Sequence, residues 1–276
     1  MPADHETIRI WGLHGGKTNE DFYLFREVLG GGGPGRPWAD GSDVVHIVPN
    51  SRNLPAEFSE TRYPVLVEKL GLATDSGGVG YRRGGLGYDK RIRALADSKL
   101  LSNADRALLN TYGVNGGGPG NAYGISVLHT DGSEETIPGM SDNISVEAGS
   151  VVNIRTTGGG GWGDPLKREA DLVCADVRAG LVSEEAASDK YGVVLIKDGY
   201  SLSVNDGATV KRRTKLAEER GPLAMFDRGP YFKKIKNDAG IDWPVGWNDP
   251  DEGCLASDIE ETNWQDEAPA VRLLKA

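Results

Sequence analysis

The apolar positions of the chain change their period at one place. Up to about residue 163 they alternate in short runs separated by turn dipeptides: Ile8–Leu13, Val44–Val48, Val65–Leu72, Ile125–Leu128 before Asp131-Gly132, and Val151–Ile154. Alternation sends every second side chain to one face of an extended segment, so each run predicts a half-buried strand. Short strands that recur with turns between them predict an antiparallel, β-rich region. Residues 91–109 fit either short strands or one irregular helix, and strands are the reading taken.

Beyond Gly158-Gly159-Gly160-Gly161-Trp162-Gly163 the step becomes three or four. Leu166, Ala170, Val173 and Val177 fall on one helical face, with Asp164 suited to the N-cap, Pro165 to the first turn and Gly180 to the end. Ser183 caps a second predicted helix that runs to Tyr191 and closes at Gly192. Val193–Ile196 and Tyr200–Val204 flank Asp198-Gly199 as a hairpin. A charged helix follows over Thr209–Arg220, stopped by Gly221-Pro222, and after it Pro, Asp, Glu and Trp mix without periodicity. This tail either docks on a surface or stays mobile, and Trp243, Trp247 and Trp264 argue for docking, because exposed indoles mark contacts. The expected fold is α+β in three parts: an N-terminal lead-in over 1–29, a β-rich glycine-turn domain followed by short helices over 30–205, and a charged helix with an irregular, acidic, Trp-containing tail over 206–276.

Thirty-nine of the 276 residues are glycine, clustered at Gly30–Gly35, Gly116–Gly120 and Gly158–Gly163. Each loses much conformational freedom on folding, so such clusters require either positive φ or backbones too close for a Cβ. The net charge of −10, with no basic stripe, argues against nucleic acid and anionic membrane surfaces as partners. No apolar run approaches a membrane span and the N-terminus lacks the pattern of a signal peptide, which predicts a cytoplasmic protein. Cys174 and Cys254 stand far apart without a metal-binding or disulfide framework, and Cys174 fits a helix interior.

A strand, glycine loop and helix start can cradle phosphate, but no loop here carries the Gly-Lys-Ser/Thr of a P-loop, and Asp164 would set a carboxylate where a phosphate belongs. Close backbone packing is therefore the expected role of the glycines, and no cofactor is expected on this chain. His5, His14, His46 and His129 lack second ligands at metal-binding spacing, so no metal site is expected either. Neither a GxSxG elbow nor an activated cysteine is present, which disfavours a self-contained hydrolase. The candidate catalytic residues are His46, placed to line a cleft, and Arg52, Asn53 and Glu57, a loop cluster for which a self-stabilising Asx turn is the favoured alternative. Arg82-Arg83-Gly84-Gly85 either clasps an anion or a partner's carboxylate, or forms a tight hairpin with solvated arginines.

Taken together, Gly31–Gly35, Asn53–Glu57 with Arg62-Tyr63-Pro64, Asp75–Gly80 with Arg82–Gly85, Gly116–Gly120, Gly158–Pro165, Asp176–Ser183 and Tyr191–Val194 resemble the C-terminal part of the hydantoinase B/oxoprolinase family over about residues 28–196. The resemblance implies a non-autonomous subunit of an ATP-dependent enzyme. Its partners would be an actin-like ATPase subunit and a metal-bearing hydantoinase B-like subunit, which together hold ATP and a divalent metal (Mg, Mn or Zn). The family's metal-ligand histidines and aspartates belong to an N-terminal half not found in this sequence. Size and acidic tail look most like the small, epsilon-type subunit of a ketone carboxylase of the acetophenone type, which joins an aryl methyl ketone to bicarbonate. A cyclic amidohydrolase subunit and a non-catalytic assembly or regulatory subunit are the alternatives.

Overall fold

The computed structural model describes residues 9–16, 18, 21–46 and 52–232. Two antiparallel sheets carry the body of the fold. The first has the order β2-β1-β5-β9, with β1 at Arg9–Gly15, β2 at Tyr23–Leu29, β5 at Ser98–Ala104 and β9 at Met140–Val146. The second has the order β3-β4-β10-β7-β8, with β3 at Val65–Leu72, β4 at Tyr88–Ala94, β7 at Gly124–Leu128, β8 at Glu134–Ile137 and β10 at Val151–Arg155. Their alternating apolar residues meet in one core that includes Trp11, Leu13, Phe25, Leu100, Ile92, Val127, Val152 and Ile154. Trp11 meets Phe25 edge-on at 5.4 Å between ring centroids, a favoured aromatic geometry.

β1 and β2 come from the segment expected as a lead-in. They supply two of the first sheet's four strands and bury Trp11, Leu13, Phe25 and Leu29 in the shared core, so the packing continues without a break across residue 29. The run at 91–109 resolves into strands, with β4 and β5 joined by a short turn. Of Val44–Val48, only Val45 pairs, through a single bridge to Gly31, and Ile47 and Val48 lie outside the described residues.

One end of the sandwich interior is polar. Lys90 of β4 donates to both carboxylate oxygens of Glu27 on β2, each at 2.6 Å, across the gap between the sheets. Tyr123 lies 3.4 Å from the Ser102 hydroxyl, and burial raises its phenol to about 12.

A smaller core of Val173, Val182, Ala186, Ala187, Tyr191 and Val193 joins helices α2 (Ala170–Arg178) and α3 (Glu184–Asp189), where the Ser183 side chain caps α3 as expected. The hairpin β11 (Leu195–Asp198) and β12 (Ser201–Val204) turns at Gly199, whose φ of 57° suits glycine. Helix α4 spans Asp206–Arg220, starting a turn before the expected Thr209 because the Asn205 side chain accepts from the amide of Ala208. After α4 the chain turns back, and β13 (Phe226–Asp227) pairs with β6 (Gly113–Val114). Helix α1 (Ala56–Arg62) was not legible as a helix. The expected tail, with its three tryptophans, lies outside the described residues.

The single helix expected from Pro165 to Gly180 is interrupted. Asp164 caps only a short 3-10 turn at Pro165–Lys167, Arg168 is extended with φ −61° and ψ 136°, and α2 begins at Ala170. The break turns the Arg168 side chain inward, and Arg213 of α4 binds its carbonyl at 2.6 Å.

Candidate functional site

Several strands run out of the polar end of the sandwich into glycine segments. β2 continues into Gly30–Gly35, β10 into Thr156–Gly163, while β4 and β7 are entered from Gly84–Gly87 and Gly116–Gly120. These segments lie side by side and bond amide to carbonyl: Gly85 to Gly33, Gly159 to Gly85 and Gly78 to Gly159, at 2.8 to 2.9 Å. Close approach is what demands glycine here. A Cβ on Gly159 would stand 1.8 Å from the carbonyl oxygen of Gly33, and one on Gly158 1.8 Å from that of Ser76. Within Gly158–Gly163, only Gly163 takes a left-handed φ, of 75°.

An ionic cluster ties this glycine bundle to the helical part. Arg168 holds Asp40 with both arms of its guanidinium, at 2.7 and 2.8 Å, and reaches Asp176 of α2 at 2.8 Å. Arg83 donates its backbone amide to Asp40 at 2.8 Å and its side chain to Asp43 at 3.1 Å and to the carbonyl of Gly84 at 2.8 Å. Planar guanidinium forks suit such paired carboxylates. Burial alone would raise the Asp40 carboxyl, yet the bond and charge of Arg168, with Arg83 behind it, hold it below the usual range. Burial would likewise lower Arg168, and Asp40 and Asp176 outweigh it and push it up. Tyr191 lies against this cluster, and burial drives its phenol well above the ordinary value. Nearby, Arg220 of α4 grips Asp164 bidentately at 2.6 and 2.7 Å.

A small cavity beside the cluster is lined by Asp75, Arg83, Lys190 and Tyr191, with room for about one water molecule. Among the described residues no group of His, Cys, Asp and Glu is arranged to hold a metal ion. The carboxylates that do converge, Asp40, Asp43 and Asp176, are taken up by arginines, and that charge environment does not fit a divalent cation. The arrangement does suit locking segments distant in sequence into one rigid body.

The residues singled out from sequence fall elsewhere. His46 is half-buried next to the bridge between Val45 and Gly31. Arg52 is exposed and Asn53 half-buried in the extended chain leading to α1, and Glu57 is exposed in the first turn of that helix. No hydrogen bond or ion pair joins Arg52, Asn53 and Glu57 to one another among the described residues. Residues 47–51, which connect them to His46, lie outside the described residues. Arg83 does clasp carboxylates, those of its own chain, whereas Arg82 lies over the ring of Tyr81 at 4.7 Å. Sequence reading missed Asp40, Arg168 and Asp176. One signal was available: Asp176 falls three residues after Val173, on the apolar face of α2, where a buried acid needs a cation.

Comparison with known proteins agrees with this architecture. The chain is 37% identical over 192 residues to an uncharacterized protein of Methanocaldococcus jannaschii, covering 69% of this chain and 34% of that protein. It is 30% identical to a putative D-/L-hydantoinase subunit of a Pseudomonas strain, covering 65% and 31%. Its fold matches a nucleotide-free acetone carboxylase structure with a TM-score of 0.67 at 19% identity, over 86% of this chain and 35% of that one. An ATP-dependent caprolactamase from Pseudomonas jessenii matches with a TM-score of 0.60 at 27% identity, over 77% and 38%. The sequence thus spans about a third of the length of these two protein relatives. The match to the family covers residues 1–165, including the two strands placed in the lead-in, so its N-terminal limit lies earlier than motif reading sets it. The chain belongs to the hydantoinase B/oxoprolinase family.

Proposed function

We propose that this chain forms the glycine-bundle portion of an ATP-dependent enzyme that activates a carbonyl compound, and that it works as a subunit with companion chains. One observation carries the reading: most of the chain aligns with roughly a third of both an acetone carboxylase and an ATP-dependent caprolactamase. In this reading the nucleotide and the metal sit on the companions, in keeping with a cluster whose carboxylates are already committed to arginines. The chain's own contribution is a stiff body. Its glycine backbones exclude side chains and water, and the Arg83 and Arg168 contacts fix the helical part against it.

The finer reading is a ketone carboxylase of the acetophenone type, in which ATP activates bicarbonate or the enolate so that a carbon–carbon bond can form. It draws on the sequence resemblance and on the 86% of the chain that follows the acetone carboxylase fold. The second reading is opening of a cyclic amide, favoured by the higher identity to the caprolactamase and by the hydantoinase-type relative. The complex that co-purifies with the full-length protein separates the two. A carboxylase consumes labelled bicarbonate with an aryl methyl ketone and ATP, and leaves hydantoin, lactam and oxoproline untouched. Ring opening without bicarbonate establishes the second reading, and turnover by this chain alone overturns the dependence on companions.

A further inference from the structure

The outer faces of the two sheets differ in kind. On the second sheet most exposed charges are matched, Arg93 with Glu68 and Lys69 and Arg155 with Asp89, and Arg91 and Leu66 are exposed beside them. The register of the first sheet places Ile10, Leu24, Val28 and Leu101 outward, with Met140 paired beside Asn103 at the far edge. Leu24 and Met140 are exposed, and Ile10, Val28 and Leu101 are half-buried. The charges at the paired outward positions are Arg26 and Lys99, both exposed, and the carboxylate of this sheet nearest them in register, Asp142, is exposed in the irregular part of β9. Neither cation forms an ion pair among the described residues, and Lys99 donates only to the Ser145 hydroxyl. On a chain of net charge −10, an apolar face whose paired positions carry two cations without ion-pair partners calls for a specific cover.

The sequence contains a segment with the complementary chemistry. From Asn237 to Ala270 there are ten carboxylates and no lysine, arginine or histidine, interspersed with Trp243, Val245, Trp247, Leu255, Ile259 and Trp264. An extended chain from Phe232 to Trp264 reaches about 100 Å, against a diameter of about 45 Å for a domain of this size, so reach sets no limit. We propose that this acidic, tryptophan-bearing tail docks on the outer face of its own chain's first sheet. The indoles and aliphatic side chains cover Ile10, Leu24, Val28, Leu101 and Met140, and the carboxylates neutralise Arg26 and Lys99. The inference goes beyond the reaction proposed above and does not rest on it.

A water-soluble carbodiimide tests it on the full-length chain, since the reagent joins a lysine amine to a touching carboxylate with loss of water and adds no spacer. Peptides are mapped from the monomer band. The expected result is linkage of Lys99 to carboxylates within Asp238–Glu267, at least about fivefold above that of the exposed Lys167 and Lys211, and weakened in 1 M salt where the screening length falls to about 3 Å. The exposed substitutions Leu24→Glu and Arg26→Glu, made together, reduce the Lys99 linkage to the level of those controls while leaving the melting temperature within a few degrees. Equal linkage at all lysines, linkage only between two chains or to a companion subunit, or Lys99 linkage that persists in the double variant overturns the proposal.

Discussion

Arg168 binds both oxygens of Asp40 although 128 residues separate them. One partner follows the first glycine cluster, and the other stands where the expected helix breaks between the 3-10 turn and α2. Because Arg168 also holds Asp176 inside α2, this one guanidinium couples the glycine bundle to the helical part. The side chain is almost fully buried, so the coupling acts at low dielectric, where an ion left without its partner is costly.

Arg168→Ala therefore removes the main cation from two carboxylates and leaves only Arg83 beside them, and the expected loss of stability is about 3 kcal/mol, read from urea unfolding. Arg168→Lys keeps the charge but not the fork, and falls between the wild type and the alanine variant. A change below about 0.5 kcal/mol for Arg168→Ala shows that the cluster does not hold the two parts together.

Acid should act through the same contacts. Asp40, Asp89 and Asp164 are all held below the ordinary carboxyl value: burial would raise each, but Arg168, Lys69 and Arg220 respectively prevail. In the unfolded chain these groups titrate near about 3.9. The native state thus binds fewer protons, and the stability these groups contribute is complete above that value and disappears as pH falls towards their lower folded values. Melting temperatures measured from pH 6 down to pH 3 should drop steeply below about pH 4.5, and Asp40→Asn should flatten part of that slope. Parallel curves for the two proteins contradict the assignment to Asp40.

The bundle makes a separate claim about shape. Gly159 is not left-handed, and a Cβ there would lie 1.8 Å from a backbone oxygen that has no rotamer with which to move aside. Gly159→Ala should cost about 3 kcal/mol or more, at the upper end of overpacking. Gly71 and Gly124 have nothing within 4 Å of the equivalent position, so alanine at either should change stability by no more than about 0.5 kcal/mol. Thermal unfolding of the three variants side by side separates a steric requirement from a general preference for glycine.

The strands of the core were legible because burial on one face writes itself into the chain as alternation. Val65–Leu72 appears in the structure with the boundaries read from sequence. Helix α3 and the turn at Gly199 were legible for an equally local reason, a cap and a glycine at fixed offsets. What local pattern could not convey is pairing between distant segments. Nothing near Asp40 announces Arg168, and nothing near Gly33 announces Gly159, because those partners are set by the way the two sheets feed the bundle. Helix α1 stayed hidden because Pro55 precedes it without a side-chain cap, while Asn53 nearby suggests a turn. The break at Arg168 stayed hidden because the apolar spacing runs through it unbroken, and only the tertiary ion pairs override that spacing.

The pair between Glu27 and Lys90 offers the last test, because it places full charges between the two sheets, at the polar end of the interior that also buries Arg9, Ser102 and Tyr123. Lys90 is 4% exposed at its side chain and Glu27 1%, and they come from opposite sheets. Removing either charge leaves the other desolvated, so Lys90→Met or Glu27→Leu alone should each cost about 3–5 kcal/mol. Removing both replaces two costly desolvations and their mutual attraction with apolar contact, and the double variant should recover most of the loss. A double-mutant cycle measured by denaturant unfolding gives the coupling directly, and a value of at least about 2 kcal/mol is expected. If the two single losses simply add, the pair is independent and the polar end of the sandwich owes its order to its neighbours. If the double variant unfolds outright, the ion pair fixes how the two sheets sit against each other rather than merely surviving between them.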